Sequence, residues 1–128
     1  RVDARAGAAA ARCVREAMAW ARCGAVAALV TAALRLEALA AAGEPYPGHT
    51  ELLQAEAAGP GQTPAPVRMM LANDELKTVL VSIHLSLRQA IEAVRQPDNV
   101  ATTLRITQAA LGRLLGRAPR IAVAGLNP

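Results

Sequence analysis

His84 closes the apolar run Val79-Leu80-Val81-Ser82-Ile83-His84, and a helix is expected to follow it. In α/β proteins, ligand-binding groups sit at the exposed ends of strands. Neutral imidazole is a common ligand for zinc and similar ions. A metal site needs three or four ligands, however, and the only other histidine is His49. Asp74 and Glu75 lie at the far end of the strand expected over Leu76 to Ile83, roughly 26 Å away at 3.3 Å per residue. Taken alone, His84 reads first as a satisfied structural histidine. The second candidate is Pro47-Gly48-His49-Thr50-Glu51, where a loop meets the start of a helix. The first N–H groups of a helix have no internal partners, and with the helix dipole they favour an anion. Gly48 lets the backbone approach a ligand closely, while His49 and Thr50 add donors. Against this stands a plain helix cap, which Thr50 could supply by itself. No dinucleotide-binding glycine fingerprint, nucleophile elbow or P-loop is present; Gly59-Pro60-Gly61 belongs to a loop.

The elements that must position these residues follow from caps and breakers. Asp3 to Cys23 is expected as a helix, capped by Asp3 and stopped by Gly24, with Val14, Met18 and Ala21 on one face and Arg15, Glu16 and Arg22 elsewhere. Ala25 to Ala32 is short and continuously apolar, which predicts a buried strand. Leu34 to Ala42 and Thr50 to Ala58 are expected helices, and Gly59 to Pro66 an exposed loop. Val67 to Ala72 and Leu76 to Ile83 predict a hairpin turning at Asn73-Asp74-Glu75. Leu85 to Val94 predicts a helix. A second helix, capped by Asp98 and broken by Pro119, carries Val100, Leu104, Ala110, Leu111, Leu114 and Leu115 as its apolar stripe. Arg120 to Ala124 predicts a last strand. The expected class is α/β: a mixed sheet flanked by helices.

Composition narrows the function classes. Alanine supplies 31 of the 128 residues, phenylalanine is absent, and Trp20 and Tyr46 are the only aromatic residues, so large core anchors are scarce. The net charge of +4 rests on arginine, with Lys77 the sole lysine. Basic residues without aromatic platforms or a clustered run do not make a nucleic-acid surface. Cys13 and Cys23 share one expected helix and would be about 15 Å apart, too far for a disulfide. They read as reduced thiols of a cytoplasmic protein. The longest apolar run, Ala25 to Leu34, is too short to span a bilayer, and no secretory signal is visible.

Five stretches in order resemble one enzyme family. They are Ala28-Leu29-Val30-Thr31-Ala32, Tyr46-Pro47-Gly48-His49-Thr50-Glu51, Met70-Leu71-Ala72, Ile83-His84-Leu85-Ser86-Leu87-Arg88, and Ile121-Ala122-Val123-Ala124-Gly125-Leu126-Asn127-Pro128. The family is the 4-hydroxythreonine-4-phosphate dehydrogenases of pyridoxine biosynthesis. The resemblance implies that residues 1–128 are the central part of a two-domain enzyme whose N- and C-terminal parts lie outside this chain. It further implies an isopropylmalate-dehydrogenase-like fold and a homodimer whose site is built from both subunits.

By the same resemblance, His49 and Thr50 bind the phosphorylated substrate, and His84 is one of three histidine ligands of a divalent metal (zinc, magnesium or cobalt). NAD takes the hydride, 4-phosphooxy-L-threonine is oxidised, and the β-keto acid loses CO2. No residue of this segment is assigned a further catalytic role. The second metal ligand would directly follow the Gly-Leu-Asn-Pro turn. The segment alone is therefore expected to bind metal weakly and to be inactive. Ala33, Arg35 and Leu36 depart from the family's usual Pro, Asn and Lys, and losing a cation at Leu36 weakens anion binding. A paralogue acting on a four-carbon sugar-acid phosphate, and a non-catalytic remnant serving dimerisation or interaction, are the alternatives.

Overall fold

The computed structural model describes residues 2–59 and 61–125. It comprises two compact units, Arg1–Ala65 and Pro66–Pro128.

The first unit is helical. Helix α1 spans Ala4–Arg22. Its entry is fixed by the Asp3 carboxylate, which accepts the Arg5 N–H at 2.8 Å. Its exit follows from Gly24, which takes the left-handed backbone at φ 76 that ends helices. Helices α2 (Leu36–Ala41) and α3 (His49–Ala57) both pack on α1. Gly7, Ala11 and Val14 recur at helical spacing and form the buried face of α1. Ala38 and Leu39 of α2 and Leu52 of α3 are buried in the same unit. The approach of α1 to α2 is close: a Cβ placed on Gly7 would lie 1.9 Å from the Ala38 carbonyl oxygen.

The second unit opens with the antiparallel pair β1 (Met70–Ala72) and β2 (Lys77–Val79), in which Met70 faces Val79 and Ala72 faces Lys77. The turn is held by Asn73, whose Oδ1 accepts the N–H groups of Glu75 (3.0 Å) and Leu76 (2.7 Å). Helix α4 (Leu87–Arg95) begins with a reciprocal cap between Ser86 and Gln89. Helix α5 spans Pro97–Leu115, and Gly116 ends it in the left-handed region.

Several expectations are corrected here. Residues 25–35 form neither strand nor helix, and Val30 is 99% exposed. An apolar sequence can favour extended backbone, but a strand exists only where a neighbour takes its N–H and C=O groups. Among the described residues the first unit holds no strand to do so. For the same reason Arg120 to Ala124 is exposed and irregular, and the strand ending at Ile83 stops at Val79. Among the described residues the expected mixed sheet is thus a two-stranded hairpin, accompanied by five helices, a helix-rich partial α/β arrangement. Asp98 is not a cap: Gln96 occupies that position and Pro97 starts α5, where its missing N–H costs nothing. The helix ends at Gly116, before Pro119 could break it. Its buried face is Thr103, Thr107 and Leu111, whereas Leu114 and Leu115 are exposed. The threonines tolerate burial because their hydroxyls donate to Asn99 O (2.8 Å) and Thr103 O (2.7 Å). The Leu126-Asn127-Pro128 turn lies outside the described residues.

Candidate functional site

Helix α3 starts at His49, one residue earlier than expected, and Gly48 is its N-cap with no side-chain hydrogen bond. Thr50 is therefore not the cap; it sits in the first turn beside His49. The first helical bond runs from Leu52 N–H to Gly48 O at 3.2 Å. The N–H groups of His49, Thr50 and Glu51 precede it and have no helical acceptor. This places three backbone donors and two donor side chains on one turn, the arrangement that favours a small oxyanion. Two neighbours temper it. The Glu51 carboxylate folds back so that its Oε2 lies 3.4 Å from where a Gly48 Cβ would be, and a Leu36 methyl lies 3.9 Å from the same point. The turn thus already has one acidic neighbour and an apolar one, and no cation there among these close neighbours.

His49 also lines a cleft of about 350 Å³. Its other walls are Ala10, Cys13, Val14 and Ala17 of α1, the irregular stretch from Leu29 to Leu34, and Leu53 of α3. The stretch Ala25 to Ala32, expected as a strand, instead lends Leu29 to Ala32 to one side of this cleft.

The fastening of α3 escaped the sequence reading. Arg15 Nη1 and Nη2 donate to Glu44 Oε1 and Oε2, both at 2.7 Å, and Arg15 Nε donates to Glu56 Oε1 at 2.8 Å. The Arg15 bonds hold the Glu44 carboxyl below the usual carboxylate range, although desolvation opposes them. In return Glu44 first, then Glu56, raise the proton affinity of Arg15. A signal was present. Arg15 continues the Gly7, Ala11 series at a spacing of four, so a charge sat at the edge of the buried stripe and required partners.

His84 belongs to the other unit, in the link between β2 and α4, and is exposed. It is the only non-glycine residue with positive φ among the described residues, at 55°. For a residue with a Cβ this is an uncommon conformation and a mark of local constraint. Its place is five residues beyond the end of β2, not at a strand end. His49 and Thr50 are brought together on α3, while His84 stands in a separate unit. Among the described residues no three His, Cys, Asp or Glu side chains group together as a metal site. None of the described helices is long and apolar enough to cross a membrane.

One helical unit in which His49 of α3 borders a cleft, and a second unit carrying a short hairpin, make up a helix-rich partial α/β protein. Comparison with known proteins is more specific. The family model for pyridoxal phosphate biosynthetic protein PdxA matches residues 1–128, and the chain belongs to that family. It is similar to the 4-hydroxythreonine-4-phosphate dehydrogenase of Beijerinckia indica, with 51% identity over all of this chain and 36% of that protein. It is also similar to the D-threonate 4-phosphate dehydrogenase of Pectobacterium atrosepticum, with 42% identity over 99% of this chain and 37% of that protein. The crystal structure of 4-hydroxythreonine-4-phosphate dehydrogenase from Klebsiella pneumoniae superposes with a TM-score of 0.88 at 44% identity, over all of this chain and 37% of that one. The chain spans little more than a third of the length of these relatives.

Proposed function

We propose that the full-length protein carrying this segment oxidises 4-phosphooxy-L-threonine with NAD as hydride acceptor, and that the β-keto acid formed then loses CO2. The observation that carries this reading is the open first turn of α3 in a chain of this family. In it His49 and Thr50 hold the substrate phosphate together with the free N–H groups of the turn. Binding the phosphate there fixes the substrate away from the reacting carbon, and such remote binding raises the fraction of substrate held in reactive geometry.

His84 supplies one ligand to a divalent metal ion such as zinc, magnesium or cobalt. Its exposed imidazole and constrained backbone suit that role, but one histidine does not make a site. The described residues therefore do not hold the ion by themselves, and other ligands must come from outside them. When bound, such an ion polarises the substrate hydroxyl and the developing carbonyl. We place the protein in the cytoplasm as a homodimer with an isopropylmalate-dehydrogenase-like two-domain fold, of which residues 1–128 are the central part.

The hydroxythreonine reading is preferred to the D-threonate one because the relative bearing that name is the more similar, at 51% against 42% identity. The test is NADH formation by the full-length protein with 4-phosphooxy-L-threonine and with D-threonate 4-phosphate. The expected result is a higher kcat/KM for the first, reduced about a hundredfold or more in His49→Ala, since an anchored phosphate sets the position of the reacting carbon. A higher value for the second substrate would transfer the assignment to the sugar-acid phosphate. No NADH with either, from protein loaded with metal, would leave the non-catalytic remnant.

A further inference from the structure

Arg15 is the hub of a three-residue cluster that spans the anion-binding turn from both sides. Glu44 lies four residues before the N-cap Gly48, and Glu56 lies in the last turn of α3. One guanidinium holds both, through three of its five donors, at 2.7 to 2.8 Å. The connection between Glu44 and Gly48 contains Pro45 and Pro47, whose rings fix φ. Fixing Glu44 therefore fixes the direction in which the chain enters α3. At the other end Arg22 Nη1 donates to Glu56 O (3.4 Å) and Ala58 O (3.1 Å), where the last carbonyls of the helix lack helical donors. The far end of α3 has this second fastening, whereas the entry to its first turn is held by Arg15. Leu52 is the single buried residue of α3, so packing alone restrains the helix against sliding only at its middle.

We propose that Arg15 is a positioning residue for substrate recognition. Through its paired bonds to Glu44 and its bond to Glu56, it sets where the first turn of α3 presents His49, Thr50 and their backbone N–H groups to the substrate phosphate. This rests on the reading of that turn as the phosphate contact. The planar fork is essential, because it meets a carboxylate edge-on while its Nε serves a second one. A lysine at this position offers a point charge and cannot hold both carboxylates in that geometry.

The test uses the full-length protein in four forms: unchanged, Arg15→Met, Arg15→Lys and Glu44→Gln. KM for 4-phosphooxy-L-threonine, KM for NAD, kcat, and the calorimetric Kd of inorganic phosphate are read alongside the melting temperature. Arg15→Met is expected to raise the substrate KM and the phosphate Kd about tenfold, with KM for NAD and kcat within about twofold of the unchanged protein. Arg15→Lys recovers part of the loss, and Glu44→Gln shows a smaller rise of about threefold. A purely structural role would lower the melting temperature without separating these constants. If Arg15→Met does not fold, the Glu44→Gln values decide. Unchanged substrate KM and phosphate Kd in any folded Arg15→Met or Glu44→Gln protein overturn the proposal. If the unchanged protein makes no NADH, the assigned reaction is wrong, and the phosphate Kd still judges Arg15 separately.

Discussion

In the Arg1–Ala65 unit, buried side chains come from all three helices, and α1 crosses α2 so closely that there is no room for a methyl group on Gly7. Among the described residues of the Pro66–Pro128 unit, only Thr103, Thr107 and Leu111 of α5 are buried, while Leu71, Leu76, Leu87 and Leu114 are each at least 60% exposed. Polar bonds hold the second unit instead. Arg68 donates to Thr103 Oγ1 (2.7 Å) and Asn99 Oδ1 (2.6 Å), tying the approach to β1 onto α5. Asn99 Nδ2 donates to Ala93 O at 3.2 Å, joining α4 to α5. The first unit is thus held by close packing and an ionic clip, and the second by hydrogen bonds beneath an apolar surface open to water. The turn proposed to bind phosphate lies in the closely packed unit and His84 in the other.

Glycine substitutions separate the two units most sharply. Gly7→Ala drives a methyl group to 1.9 Å from the Ala38 carbonyl oxygen, so α1 and α2 must move apart. The expected cost is about 3 kcal/mol or more, since overpacking a tight core is already costly when only side chains must shift. Gly112→Ala in α5 meets nothing within 4 Å. There alanine only improves helix propensity, for a gain of up to about 1 kcal/mol. Urea denaturation of the two variants should move the midpoints in opposite directions. A Gly7→Ala protein as stable as its parent would show that the helices do not cross so closely.

His84 is the place where the second unit departs from ordinary backbone. A left-handed residue with a Cβ costs about 1–2 kcal/mol, part of which glycine recovers and part of which it loses to greater freedom when unfolded. His84→Gly should therefore be about 1 kcal/mol more stable than His84→Ala, and both should lose the imidazole. Equal midpoints for the two variants would mean that the left-handed conformation is not maintained in solution.

How much of this was legible in the sequence depended on where each partner lay. Asp3, Gly24 and Asn73 act on backbone within a few residues, and the two ends of α1 and the hairpin turn followed from them. The helix start near Gly48 to Glu51 was legible for the same reason, although it falls at His49 and the plain cap that Thr50 could have supplied is not formed. The strand at Ala25 to Ala32 failed because a ladder needs a neighbour that local sequence cannot name. The stripe of α5 held at Leu111 but missed Thr103 and Thr107, because leucine was weighed above threonine, whereas these threonines bury their hydroxyls against the helix's own carbonyls. The Arg15 clip joins residues 29 and 41 positions apart. Only the misfit of an arginine continuing a Gly7, Ala11 series pointed toward it.

The smallest expected effect tests the first unit at the open turn of α3. Leu36 opens α2, is half exposed, and places a methyl 3.9 Å from the Gly48 Cβ position, beside the Glu51 carboxylate. The adjacent Arg35 faces Glu37 at 3.5 Å, so its charge is already shared. Leu36→Lys puts an ammonium within reach of the free N–H groups of α3. It offsets the Glu51 charge that an incoming phosphate must otherwise meet. A cation added at a partly exposed site changes binding by about 0.3–1 kcal/mol, which corresponds to a two- to fivefold lower Kd for inorganic phosphate in the full-length protein. Because the added charge acts through solvent, most of the gain should disappear in 0.5 M salt, where screening lengths fall to about 4 Å. Calorimetric titration at low and high salt would distinguish the outcomes. A salt-sensitive gain places the phosphate at the first turn of α3. No gain at low salt would mean that the anion binds elsewhere and that the open turn is only an uncapped helix end.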